Sequence, residues 1–186
     1  MTITICIEGI KNTFSTSPGT VKDIYMKIVS SSGKGNFKII KNDQEVCELV
    51  YNNWFSDKAQ TVLNRNNIEI KPKNIWTSKV DIFTNKKKIG DITFNLKGHM
   101  VIRLEKEDSK EYNYLLKNKA KWKLRFEVYN ESEILQFSLN SVNKWNKLNY
   151  DYNVEVADYN SEFELEELLI YCGYAANLYL AIISAA

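Results

Sequence analysis

His99 is the chain's only histidine. With a single imidazole, a His-based metal site or a Ser–His–Asp triad has little to draw on. Beside Gly98 it reads as a solvated turn residue. No serine sits in a G-x-S-x-G elbow. Ser31-Ser32-Gly33-Lys34-Gly35 has the flavour of a phosphate loop. It lacks the upstream glycine of that motif and carries Gly35 where Ser or Thr would bind a metal, so it reads as a lysine-bearing hairpin turn. Glu105/Glu107 and Glu131/Glu133 could in principle serve acid–base chemistry. Both pairs are spaced i, i+2 near strand ends, where solvated faces are expected. Cys6, Cys47 and Cys172 are odd in number and far apart, which fits neither a disulfide framework nor a CxxC redox or zinc motif. The sequence therefore nominates no catalytic residue, no metal ligand and no cofactor.

Binding chemistry is better represented. Lys86-Lys87-Lys88 is a run of three ammonium groups. With Lys71, Lys73, Lys119, Lys121 and Lys123 it could form a patch for an anionic surface, although a lysine run in a hairpin also serves as a solvated, aggregation-limiting edge. Trp145 lies in the polar segment Asn143-Lys144-Trp145-Asn146-Lys147. An exposed indole flanked by Lys144 and Lys147 suits a membrane interface or a ligand contact. Trp54, Phe55, Trp76 and Trp122 sit among alternating apolar positions and read as core. The candidate ligand-binding set is Lys86, Lys87, Lys88, Lys121, Lys123, Lys144, Trp145 and Lys147.

The 186 residues are 44% apolar and 26% charged, with a formal net charge of +2. That suits one globular domain. It argues against a dedicated nucleic-acid binder, which carries a strong basic excess. The charge is uneven. Residues 1–147 hold all 25 bases and 16 of the 23 acids, giving 25 − 16 = +9, while residues 148–186 hold seven acids and no base, giving −7. Either the acidic end neutralises the body on folding, or the body keeps a basic face for an anionic partner. Only Arg65, Arg103 and Arg125 are arginines, so bidentate phosphate clamps are few. The cysteine usage and a start without a basic, then apolar, signal sequence point to the cytoplasm.

Residues 1–23 read as a leader, with Thr2–Ile7 alternating like an extra strand and Thr13–Lys22 as a loop. Residues 24–186 read as one domain. Strands are expected at Ile24–Ser30, Asn36–Lys41, Glu45–Tyr51, Gln60–Asn64, Asn67–Lys71, Lys79–Thr84, Lys88–Leu96, Met100–Glu105, Tyr112–Lys117, Trp122–Tyr129, Ile134–Ser141 and Asp151–Val156. Turn chemistry stands between many of them, as at Gly33-Lys34-Gly35, Asn42-Asp43, Asn66-Asn67 and Lys97-Gly98. The strand Trp122–Tyr129 shows the period of two: Trp122, Leu124, Phe126 and Val128 on one face, Lys123, Arg125, Glu127 and Tyr129 on the other.

A helix is expected over about 162–185. Ser161-Glu162-Phe163-Glu164 has the form of a capping box with Ser161 at the N-cap, and Glu162, Glu164, Glu166 and Glu167 complement the helix dipole. Leu168–Ala186 carries no charge and no polar face, so the helix belongs inside protein or lipid. Nineteen uncharged residues are just long enough to span a bilayer. Five alanines, Asn177 and the absence of flanking Lys or Arg weigh against a tail anchor. About twelve strands close into a barrel too wide for their own side chains to fill, and a helix of about 30 Å fills it. The expected fold is mainly β (α+β): a closed antiparallel β-barrel of about 12 strands around a central hydrophobic C-terminal α-helix, with Leu168–Ile183 buried on all sides.

With its succession of about twelve short strands, the aromatic exit Tyr51-Asn52-Asn53-Trp54-Phe55 followed by Ser56-Asp57-Lys58-Ala59, and the apolar C-terminal helix, the chain resembles the tubby C-terminal-like superfamily. That superfamily includes the phospholipid scramblase-like and LURP-one-related proteins. The resemblance covers residues 24–186. It implies a closed barrel with a central helix and, as in eukaryotic members, binding of phosphoinositide headgroups through basic residues. The resulting expectation is a non-enzymatic module for anionic phospholipid headgroups or another anionic ligand, in peripheral contact with a membrane. A protein-interaction scaffold and a tail-anchored membrane protein are the alternatives, and the oligomeric state is left open.

Overall fold

A computed structural model of the chain describes residues 25–53, 58–73, 79–119, 123–142 and 150–184. The expected leader strand and loop, the four tryptophans, Phe55, Lys121, Lys144 and Lys147 lie outside these residues.

Twelve strands and one helix make up the described fold. The strands are β1 (Met26–Ser30), β2 (Phe37–Lys41), β3 (Gln44–Tyr51), β4 (Ala59–Leu63), β5 (Asn66–Pro72), β6 (Lys79–Thr84), β7 (Lys87–Phe94), β8 (Met100–Glu105), β9 (Glu111–Asn118), β10 (Arg125–Tyr129), β11 (Leu135–Val142) and β12 (Asp151–Val156). Each pairs antiparallel with its sequence neighbours, and β1 pairs with β12, which closes the barrel. The helix α1 runs from Leu165 to Ser184. The expected fold class is therefore correct. β10 begins at Arg125, three residues later than the alternation of the sequence suggested.

Period-two alternation places one face of each strand inside. Ile28, Ile39, Leu49, Ile70, Ile82, Ile92, Ile102, Leu116, Val128 and Leu139 are buried in one core that also contains the helix. Three hairpins turn on two residues with positive φ: Asn42 and Asp43, Asn64 and Arg65, Asn85 and Lys86. Such turns match the twist of their strands, and Asn tolerates the left-handed conformation best. The second corrects the expected turn at Asn66-Asn67, for those two residues already pair within β5 against β4. Ser31–Asn36 does form a hairpin turn, closed by the Ser31 amide donating to the Asn36 carbonyl at 2.9 Å.

An all-antiparallel meander delivers its connections alternately to two ends. One end gathers the turns after β2, β4, β6, β8 and β10 together with the start of α1; we term it the entry rim. The other gathers the connections after β1, β3, β5, β7, β9 and β11 and the end of α1; this is the exit rim.

The helix does not begin as its sequence suggested. Ser161 is not the N-cap. Its Oγ accepts from the Phe163 amide at 3.0 Å and pairs with the Tyr114 hydroxyl at 2.6 Å, fastening the approach segment to β9. Glu164 precedes the first helical residue; its carbonyl accepts from Leu168 and its carboxylate from Asn64 Nδ2 at 2.7 Å. The barrel wall thus outcompetes the local capping box for both partners.

Burial of the helix is also narrower than expected. Leu168–Ala176 and Leu178 are buried on every face, so this stretch is enclosed by the protein's own strands. Tyr51 stacks on Tyr174 with ring centroids 5.4 Å apart. Beyond that the helix emerges. Asn177, Tyr179, Leu180, Ala181 and Ile182 are only half-buried, and Ile183 is 46% exposed. Asn177 holds the emerging end to the exit rim by donating to the Gly35 carbonyl at 3.0 Å and to the Tyr51 hydroxyl at 3.3 Å. By length and composition α1 could cross a membrane, but half of it is already buried in the barrel.

Candidate functional site

The charged residues sort by rim. In the described connections of the entry rim stand the acids Asp43, Glu107, Asp108, Glu131, Glu133, Asp158, Glu162 and Glu164, against the bases Arg65, Lys86, Lys106 and Lys110. Glu166 and Glu167 add two more carboxylates in the first helical turn. The described connections of the exit rim carry Lys34, Lys58, Lys73, Lys97, Lys119 and Lys123 and no carboxylate. Of these, Lys58 pairs with Glu69 at 2.6 Å, while Lys34, Lys73, Lys97, Lys119 and Lys123 enter no ion pair among the described residues. The acidic C-terminal segment does not neutralise this rim. Its two ion pairs with the body, Glu166–Lys41 at 2.6 Å and Glu162–Lys106 at 3.4 Å, both lie at the entry end. Folding separates the charge along the barrel axis.

This geometry divides the basic residues singled out by sequence. Lys86 and Lys87 stand at the β6–β7 turn on the entry rim. Lys88 donates to Asp81 at 2.6 Å. That pair has a structural cause: Asp81 and Asp91 face each other across β6 and β7, an arrangement that repels unless each carboxylate is neutralised. Asp91 is neutralised by Lys79 at 2.9 Å and by Arg103, whose Nε approaches to 2.9 Å. Burial pushes the Asp91 carboxyl up, but Arg103 and Lys79 outweigh it and hold it below the usual range. Gly90 permits this approach of β7 to β8, since a Cβ there would meet the Arg103 carbonyl oxygen at 2.1 Å. Lys123 lies at the opposite end from Lys86–Lys88, beside the start of β10. Lys121 belongs to the same β9–β10 connection, and Lys144, Trp145 and Lys147 to the β11–β12 connection; both connections leave from the exit rim.

A groove of about 790 Å³ on the entry side is lined by Glu105, Glu107, Asp108, Glu162, Glu164 and Glu167 along with Lys87, Lys106 and Phe163. Among the described residues no cluster of His, Cys, Asp or Glu is placed to hold a metal ion. A second groove, about 820 Å³, lies on the outer face of β3–β6 over Val50, Val62 and Phe83. His99 is not simply solvated. Its amide donates to Asn95 Oδ1 at 3.0 Å, and partial burial, with Lys117 nearby, lowers its pKa. Cys47 and Cys172 are free and buried, and burial pushes both thiols up.

Of the eight large apolar residues exposed among the described ones, four lie at the exit rim, while Tyr25 and Val156 lie at the entry end and Val50 and Val62 on the outer wall. Leu96 in the β7–β8 turn is fully exposed, and Val142, Tyr150 and Ile183 are 37%, 40% and 46% exposed. Tyr150 joins the core through a chain of rings: Tyr150 to Tyr152 at 6.4 Å, Tyr152 to Phe126 at 6.1 Å, Phe126 to Tyr179 at 5.4 Å and Tyr179 to Phe94 at 6.1 Å. Sequence reading missed these four residues. Their signal was present, because Leu96 and Tyr150 interrupt polar connections, Val142 closes β11 and Ile183 lies in the last turn of the helix, but it becomes legible only once the connections are assigned to one rim.

Comparison with family models, with curated proteins and with solved structures finds no match for the chain.

Proposed function

We propose that the protein is a non-enzymatic, tubby-like barrel that binds anionic phospholipid surfaces through its exit rim. The observation that supports this reading is the segregation of charge: the described exit connections hold six lysines, five of them without an ion pair among the described residues, and no carboxylate, while the entry connections are acidic. A barrel polarised in this way is oriented by a negative surface before contact, exit rim first. Each lysine near an anionic leaflet contributes about 1 kcal/mol, falling off within a Debye length of about 8 Å at physiological salt.

Co-sedimentation with vesicles of phosphatidylcholine alone and of phosphatidylcholine with phosphatidylserine or a phosphoinositide tests the reading. Binding is expected only to the anionic vesicles, weakening as salt rises. Reversing Lys97, Lys119 and Lys123 to Glu is expected to abolish it, whereas Lys86→Glu with Lys87→Glu on the entry rim leaves it intact. Equal and negligible recovery with neutral and anionic vesicles would remove the proposal.

A further inference from the structure

Resting on that reading, we propose that the exit rim enters the bilayer rather than resting on its headgroups. The sector over β7–β12 acts as an apolar wedge, with Leu96, Tyr150 and Ile183 as its inserting residues and Lys97, Lys119 and Lys123 as its anionic-lipid contacts. The partner is then an anionic bilayer with an accessible acyl region, not a soluble polyanion or a free phosphate.

Strand order in the barrel follows chain order, so the β7–β8, β9–β10 and β11–β12 connections are consecutive around the rim. Their described residues alternate in character: Leu96 and Lys97, then Lys119 and Lys123, then Tyr150, with Val142 closing β11 beside it. One face of the helix end meets the same sector, while Asn177 is held on the other side by Gly35 and Tyr51. Tyr179 packs on Phe94 of β7 and Phe126 of β10, and Asn118 of β9 donates to its hydroxyl at 3.1 Å. Ile183 follows Tyr179 by four residues, which places it on the same helix face about 6 Å farther out. Leu96 follows Phe94 by two residues and extends past the rim.

Single exposed apolar residues are ordinary on protein surfaces. Three features set this group apart. Leu96, Tyr150 and Ile183 share one end, Tyr150 terminates the ring series Phe94–Tyr179–Phe126–Tyr152–Tyr150, and Lys97, Lys119 and Lys123, which enter no ion pair among the described residues, are interleaved with them. A protein partner would be expected to answer the lysines with carboxylates. A bilayer answers both features at once, with negative headgroups for the ammonium groups and a hydrocarbon layer just beneath for the apolar tips. Tyrosine favours that boundary because its ring is apolar and its hydroxyl polar. Hydrophobic insertion and electrostatic attraction add in such interfacial binders.

The test uses the full chain carrying Leu96→Ser or Ile183→Ser, with Val62→Ser as the control. Val62 is 57% exposed on the outer wall of β4, away from the rim. All three side chains are solvent-facing, and a thermal melt verifies that each variant folds. Leu96→Ser and Ile183→Ser are each expected to weaken partition onto phosphatidylserine vesicles about ten-fold, from the apolar area withdrawn. Val62→Ser is expected to leave it unchanged, and retention on heparin is expected to be the same for all. An environment-sensitive dye on Leu96→Cys in a Cys6→Ser background is expected to shift to the blue with anionic vesicles, and the same dye on Val62→Cys to stay unshifted. If the serine variants bind vesicles like the parent and the Leu96→Cys dye does not shift, while the lysine reversals still abolish binding, the wedge is refuted and surface electrostatics stands alone. If the parent binds no vesicles, the underlying reading fails and the wedge with it.

Discussion

Gly173 lies flat against the ring of Phe37: a Cβ added to it would come within 2.6 Å of Phe37 Cζ and 2.9 Å of Cε2. Glycine costs a helix about 1 kcal/mol relative to alanine, so its presence in the buried part of α1 answers a packing need. Phe37 is 3% exposed at the start of β2 and has little room to retreat. Gly173→Ala is therefore expected to destabilise the protein by about 1–3 kcal/mol, the usual cost of overpacking a core, although it improves helix propensity. Phe37→Leu in the same chain should recover part of that loss. Urea denaturation of the two single variants and the double variant measures the coupling. Additive effects would mean the two groups do not meet.

The pair also marks the limit of what could be read beforehand. Leu168–Ala186 without a charge sufficed to place the helix inside something, and strand alternation sufficed to place twelve strands around it, because burial acts on patterns of many residues. Contacts such as Gly173–Phe37 depend on which residues meet across the barrel, and no local pattern encodes that. The same limit explains Ser161, which had the sequence of an N-cap but is used by Tyr114 of β9. Asn64-Arg65 hosts the turn in place of the expected Asn66-Asn67: arginine at positive φ is an unusual choice, and the preceding asparagine carries the turn. The charge polarity is a different case. In an antiparallel meander alternate connections share an end, so Lys86–Lys88 and Lys119–Lys123 could have been separated by counting turns.

Glu167 gives the pH prediction. Burial raises its carboxyl above the usual range, and the hydrogen bond accepted from the Tyr171 hydroxyl at 2.7 Å offsets this only in part. A carboxyl whose folded pKa is raised favours folding most when protonated. Its contribution is full below the unfolded value of about 4.3 and is lost as pH rises through the higher folded value. Glu167→Gln keeps an acceptor for Tyr171 and removes the ionisation. The variant is expected to melt at a higher temperature than the parent at pH 7.5, with the gap closing as pH falls below about 4. Calorimetry across that range checks it; an equal gap at both ends would show that the charge of Glu167 is not the cause.

The two halves of α1 make opposite predictions under truncation. Leu168, Leu169, Ile170 and Leu178 are buried along with Tyr171 and Tyr174. Burying an aliphatic side chain contributes about 1.5–3 kcal/mol, so the four aliphatics alone match a typical net stability of about 5–15 kcal/mol. Ending the chain at Glu164 leaves the barrel without its filling, and the fragment is expected to be unfolded by circular dichroism and sensitive to protease. Leu178→Lys is expected to weaken folding severely, because it places an unpaired charge at the last fully enclosed position. Among the described residues, ending the chain at Leu180 removes only partly or largely exposed ones. That product is expected to fold cooperatively in plain buffer, to lose a few kcal/mol at most, and to bind anionic vesicles more weakly because Ile183 is gone. A chain that uses α1 as a membrane span would behave in the reverse way. The fragment ending at Glu164 would then be a stable soluble domain, and the full chain would require detergent. A cooperative thermal transition from residues 1–164 alone would decide for the span and against the plug.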